Sequence, residues 1–160
     1  DHGWHLGEKK HWCKGAIWEQ TTRIPFMVRA SSVKPGTVCM QPVSLIDVYP
    51  TLADLAGLAV PEYLDGKSIK PQLTAPDQQR SPVISSYGEG NTAIRTQRWR
   101  YIRYEDGSEE LYDHTSDPHE WKNLANSPDH LIIKRELAAA IPNEQHSGLK
   151  VQSWFDQHQK

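Results

Sequence analysis

Hydrophobic positions fall in short clusters along this chain, and the spacing inside each cluster predicts its element. Leu45, Val48, Leu52, Leu55 and Ala56 share one face of a 3.6-residue period between Ser44 and Ala56, and Gly57 supplies the stop. Ser44-Leu45-Ile46-Asp47 has capping-box spacing; Pro50 is tolerable only in a first turn, so the regular helix is expected to start near Asp47. Ile24 to Arg29 is a compact apolar run that predicts a buried strand, bounded by Ser31, Ser32, Pro35 and Gly36. Residues 61–82 contain four prolines and predict a surface connection with one helical turn around Ser68 to Leu73. Beyond residue 82 the period shortens. Residues 83–86, 92–95, 99–104 and 110–113 predict short strands of an antiparallel meander, separated by turn residues such as Gly90-Asn91 and Asp106-Gly107. An amphipathic helix over His130 to Ile141 follows, with Leu131, Leu137 and Ile141 expected against the sheet. Pro142 to Lys160 reads as a polar tail with Leu149, Val151, Trp154 and Phe155 as apolar anchors.

The first 18 residues break this order. They are dense in His, Lys, Trp and Gly, sustain no period of 2 or 3.6, and predict a loop that carries functional side chains. Composition narrows what such a loop serves. The chain has 160 residues, 37% hydrophobic and 24% charged, which suffices for a core or for a piece of a larger domain. No window approaches the roughly 18 to 20 apolar residues of a membrane span. Lys plus Arg number 18 against 20 Asp plus Glu, for a formal charge of -2 with no block of like charges, which argues against a nucleic-acid module. The expected partner is a small molecule or another protein segment. Cys13 and Cys39 make neither a disulfide framework nor a zinc pattern. Asp1 opens the chain directly on a polar motif, so the natural start is expected elsewhere.

Asp1 and His2 pair a hard oxygen ligand with an imidazole, and Gly3 lets backbone pack closely beside them; such a pair can hold a divalent metal. Two ligands do not close a site, and an Asp-His dipeptide is more often plain polar surface. Lys9, Lys10 and Lys14 add positive charge nearby, while His5 and His11 can donate protons near neutral pH. Together these groups suit an anionic, tetrahedral substrate, with metal and lysine stabilising charge on sulfuryl or phosphoryl oxygens and a histidine protonating the leaving oxygen. Other conspicuous residues read as structural. Arg23 and Arg29 are expected in salt bridges or at a strand edge, and Asp113, Asp117 and Glu120 in a turn and cap. Arg95 and Trp99 are expected in packing, and Trp99, Tyr101, Tyr104 and Tyr112 at strand spacing read as sheet packing.

The spelling of the opening, DHGWHLGEKKHWCKGAIWEQTTRIPFMVRA, resembles a stretch midway through type I sulfatases, in particular the iduronate-2-sulfatase-like branch of the alkaline phosphatase superfamily. PVSLIDVYPTLADLAGL is similar to that family's helix signature, LDGKSIKPQL to the following loop, and ELYDHTSDPHEWKNLA to its late L-Y-D-x-x-x-D-P-x-E-x-x-N-L motif. Four motifs in family order are far more specific than one. The resemblance covers roughly residues 1 to 140 and implies an α/β fold: residues 1–80 completing the large sulfatase domain, and 81–141 forming a small antiparallel sheet with a packed C-terminal helix. It also implies that Asp1 and His2 are metal ligands, that Lys14 contacts the sulfate group, and that Trp4 and His5 line the pocket. Calcium is the implied metal. His2 stands where the arylsulfatase branch has asparagine, and nitrogen is the poorer calcium ligand, so another divalent metal is also admitted.

The family's nucleophile is a formylglycine made from a C/S-x-P-x-R motif, and neither Cys13, Cys39 nor any serine opens one here. It is expected upstream, together with the remaining ligands and the rest of the enzyme, and the 160 residues alone are expected to be inactive. The implied activity is cleavage of sulfate esters, on a carbohydrate or a small molecule. The alternatives are a phosphatase or phosphonate hydrolase of the same superfamily, or a non-catalytic remnant that binds sulfated ligands. Family members are periplasmic, secreted or lysosomal.

Overall fold

The computed structural model of the protein describes residues 1–31 and 33–142. A two-stranded hairpin opens the chain, β1 (His5–Leu6) pairing antiparallel with β2 (Trp12–Cys13), followed by the single-turn helix α1 (Glu19–Thr22). Next come α2 (Val48–Leu55) and α3 (Lys70–Thr74). The meander is β3 (Val83–Ser86), β4 (Thr92–Arg95), β5 (Trp99–Arg103) and β6 (Glu109–Asp113), in that spatial order, each antiparallel to the next. Helix α4 (Leu131–Ala139) closes the described fold. No described helix is long and apolar enough to cross a membrane.

The meander has two buried faces because its side chains alternate. Ile94, Tyr101 and Leu111 lie in one cross-strand row and pack with Ala125, Leu137 and Ile141 beneath α4. The opposite face presents Ala93, Ile102 and Tyr112 to Ile17, with Trp18 and Tyr104 alongside. Each fully buried Ile or Leu contributes about 1.5–3 kcal/mol. The second face therefore joins the start of the chain to the sheet.

Helix α2 is held from its polar side. The Ser44 N–H donates to Asp47 Oδ2 at 2.8 Å, as the capping-box spacing predicted, and the Lys67 N–H donates to Asp47 Oδ1 at 2.9 Å. Thr51 Oγ1 donates to the Asp47 carbonyl and accepts the Ile69 N–H, while Arg80 pairs with the same carboxylate at 2.9 Å. Gly66 is required here, since a Cβ would lie 2.0 Å from the Ile46 carbonyl oxygen. The apolar side is bare: Leu45, Ile46, Tyr49 and Leu52 are all exposed.

Several expectations need correction. Residues 24–29 form no strand, and Phe26 and Met27 are exposed, because no ladder to a neighbouring strand satisfies that backbone among the described residues. Arg23 and Arg29 are exposed rather than edge-paired, with no salt bridge among the described residues. Residues 1–18 contain a hairpin, not only loop. Leu131 is exposed on the first turn of α4, whereas Leu137 and Ile141 do face the sheet. Most of the expected polar tail, with Leu149, Val151, Trp154 and Phe155, lies outside the described residues.

Candidate functional site

Asp1, His2 and Lys14 meet at the open end of the first hairpin. His2 Nδ1 lies 2.8 Å from the Gly3 carbonyl oxygen, which can only accept, so that nitrogen carries the proton and Nε2 is left with the lone pair. That lone pair faces Lys14 Nζ at 3.2 Å and lies 3.8 Å from Asp1 Oδ1. Asp1 and Lys14 are exposed. Trp4 is half exposed, its ring 6.4 Å from that of His2. An imidazole with its far nitrogen pinned to a backbone carbonyl has the orientation that ligating histidines take, and a cation here would need Lys14 to give up the Nε2 lone pair that it now faces. Gly3 keeps this dipeptide close to α1: its N–H donates to the Thr21 carbonyl at 2.7 Å, and a Cβ there would lie 1.8 Å from the Gln20 carbonyl oxygen.

His5 does not share that exposed face. Its ring is fully buried, 5.1 Å from His11 and 5.6 Å from Trp18, and neither nitrogen has a hydrogen-bond partner among the described residues. Burial pushes its imidazole below the ordinary value of 6.5, and His11 pushes the same way, against the opposing pull of Glu8.

The three lysines also divide. Lys10 and Lys14 are exposed, while Lys9 turns inward. Its ammonium donates to Tyr112 Oη at 2.7 Å, 4.3 Å from that ring's centre and 5.1 Å from that of Trp18. Tyr112 Oη donates onward to Glu110 at 2.8 Å, and Trp18 Nε1 donates to the same carboxylate oxygen at 2.6 Å. The hairpin between these lysines carries backbone strain. Lys9, Lys10 and Cys13 all have left-handed φ, near 53°, 58° and 75°, at a cost on the order of 1 kcal/mol each.

A buried ion network lies below α1. Arg100 donates to Glu19 Oε2 at 2.5 Å and to the Ile17 carbonyl at 2.9 Å, and pairs with Glu120 Oε1 at 2.5 Å. Arg95 donates to Glu19 and to His114 Nδ1. Because an arginine only donates, His114 accepts at Nδ1 and gives its Nε2 proton to Glu120 at 2.8 Å. Burial alone would raise the Glu19 carboxyl, but Arg100 and Arg95 hold it down at about 2. Glu120 is also held low, by His114 and Arg100 against its burial. Glu19, His114 and Glu120 bring three potential ligand atoms within 4.8 Å of one another, yet two guanidiniums already balance their charge, so the cluster is structural.

The structural readings of Arg95 and Glu120 fit this network, and Trp99 packs against the α4 core. Asp113 holds Arg98 through two bonds of 3.0 and 2.7 Å, and Asp117 caps the Lys122 N–H. Sequence reasoning missed Glu19 and Arg100 altogether. Their only signal was charge at positions where α1 and the strands bury side chains.

The family described as N-sulphoglucosamine sulphohydrolase, C-terminal, matches residues 7–147. The chain is 38% identical over 143 residues to a sulfatase of Formosa agariphila, covering 89% of this chain and 28% of that protein. It is similar to the solved structure of a 2-O GAG sulfatase, with 30% identity and a TM-score of 0.75 over 86% of this chain and 33% of the other. A second structure, solved in complex with its substrate D-glucosamine-2-N,6-O-disulfate, gives 27% identity and a TM-score of 0.71 over 86% of this chain and 31% of that one. The chain thus spans about a third or less of each. These matches fix the family and not the iduronate-2-sulfatase-like branch.

Proposed function

The chain belongs to the N-sulphoglucosamine sulphohydrolase C-terminal family, sulfatases of alkaline-phosphatase-like fold, and on that premise we propose that it is the C-terminal part of an enzyme hydrolysing sulfate esters of a carbohydrate. The observation that carries the reading is the exposed convergence of Asp1, His2 and Lys14. Lys14 places a cation where charge gathers on the sulfuryl oxygens. His2, fixed in one tautomer by Gly3, and Asp1 are two ligands for a divalent metal, Ca2+ or another. Bound there, the metal would supply positive charge beside the reacting group. A formylglycine from the upstream part of the enzyme would supply the nucleophile. Trp4 offers a flat apolar face for a sugar ring next to His2. His5 is given no proton-transfer part in this reading, since its ring is buried against His11 and Trp18. The 2-N,6-O-disulfated glucosamine bound by one structural neighbour supports the substrate class.

The test uses the full-length enzyme. Wild type should release sulfate from a sulfated glucosamine or an aryl sulfate, and Lys14→Met should lower kcat/KM about 100-fold or more. Turnover of phosphonate monoesters in preference to sulfate esters, or an unaffected Lys14→Met enzyme, would overturn the reading.

A further inference from the structure

We propose that Lys9 is a positioning residue for the sulfate-binding Lys14, a clamp that ties the catalytic hairpin to the small sheet; this inference rests on the reading of Lys14 above. Lys9 sits at the turn between β1 and β2, and the strands leaving that turn carry His5 on one side and lead to Lys14 on the other. Two residues of the turn and one of β2 hold left-handed backbone that non-glycine residues avoid. Such a shape persists only where its surroundings over-determine it. The hairpin's own hydrogen bonds are all local: two paired residues on each strand, the Gly7 N–H to the His11 carbonyl, the Lys10 N–H to the Gly7 carbonyl, the His11 N–H to the Glu8 carbonyl and the Leu6 N–H to the Glu8 carboxylate.

The Lys9 side chain supplies the long-range hold. It crosses 103 residues of sequence to reach Tyr112, lies beside the faces of two aromatic rings, and enters a proton-donor chain that runs from Lys9 to Tyr112 to Glu110. Trp18 closes the cage by donating to that same Glu110 oxygen, so turn, β6 and the approach to α1 are bound to one carboxylate. A cation desolvated against aromatic faces is held more tightly than a surface lysine. Burial lowers the ammonium's proton affinity, which Glu110 and Glu120 oppose, in keeping with a charge placed to be satisfied internally rather than by substrate. Lys14 extends from the strand that this turn aims, and a displacement of about 1 Å at a positioning group is enough to be felt in turnover.

The experiment compares Lys9→Met, which keeps the stem and removes the ammonium, with Lys9→Arg in the full-length enzyme. Lys9→Met should lower kcat/KM for a sulfate ester about tenfold, with the loss in kcat, and Lys9→Arg, which keeps a cation over both rings, should restore it. Amide exchange in residues 7–14 should quicken in Lys9→Met and return in Lys9→Arg, a readout independent of turnover. Unchanged kcat/KM and exchange in Lys9→Met, or a fall in thermal stability with kcat/KM unchanged, would overturn the proposal, as would failure of arginine to restore kcat/KM in a folded protein. Absence of sulfate-ester turnover in wild type would instead strike the functional reading, with the exchange result still deciding whether the clamp exists.

Discussion

The backbone N–H of Glu19 donates to the Glu120 carboxylate at 3.0 Å across 101 residues of sequence, and the two carboxylates grip the same guanidinium, that of Arg100. Glu19 belongs to the segment that follows Lys14, and Glu120 to the turn after β6. The bond joins the segment carrying the candidate site to the sheet that supports it.

Removing the shared cation should therefore be costly. Arg100→Leu leaves Arg95 alone to balance Glu19 and strips Glu120 of its guanidinium, with only His114 still donating to it, and the expected loss is about 3–5 kcal/mol of unfolding free energy. Urea denaturation of the full-length enzyme checks it. A loss under 1 kcal/mol would mean that the network contributes little.

The same network sets an acid limit. Glu19 has a folded pKa of about 2 against an ordinary 4.5, so its contribution is complete above 4.5 and is lost as the pH falls towards 2. Glu120 is shifted in the same direction. Denaturation midpoints measured between pH 6 and pH 3 should fall with acid, and Glu19→Gln should flatten that slope; equal slopes would count against the assignment.

His5 predicts a second, milder pH dependence. Its folded pKa lies below 6.5, so the unfolded chain takes up a proton that the native ring refuses, and stability is full above 6.5 and declines as pH drops below it. His5→Phe keeps a ring in the pocket between His11 and Trp18 and removes both unpartnered nitrogens. Midpoints at pH 7.5 and 5.5 should converge in the variant. Conversely, loss of turnover in a His5→Phe enzyme of unchanged stability would return His5 to the chemistry.

Gly3→Ala tests the metal role proposed for Asp1 and His2. The added Cβ would lie 1.8 Å from the Gln20 carbonyl oxygen, so backbone must move beside Asp1 and His2. Calcium titration of the full-length enzyme should show affinity down tenfold or more, at a stability loss of about 1–3 kcal/mol. Gly36, whose surroundings are open, provides the control: Gly36→Asn should leave calcium affinity unchanged.

What the sequence revealed depended on the range of the interactions involved. The Ser44 to Asp47 cap and the four-strand meander rest on neighbours a few residues apart, and both appeared as the local spacing implied. Residues 24–29 were misread because an apolar run specifies burial but not a ladder partner. Leu131 fits the helical stripe, yet sits on the first turn of α4, outside the sheet contact. In the candidate site, Asp1, His2 and Lys14 were legible from the motif and do converge. The inward turn of Lys9 and the burial of His5 were not, because they depend on Trp18 and Tyr112 arriving from elsewhere.

The meander also implies an order of assembly. Each of its strands pairs with its sequence neighbour, so only short loops must close, and such sheets can form early. The contacts of Glu19 and Lys9 with residues 112 and 120 must close loops of about a hundred residues and come late. Changes at Arg100 should accordingly quicken unfolding far more than they slow folding. The hairpin that carries Lys14 would be the last part to take its shape and the first to lose it.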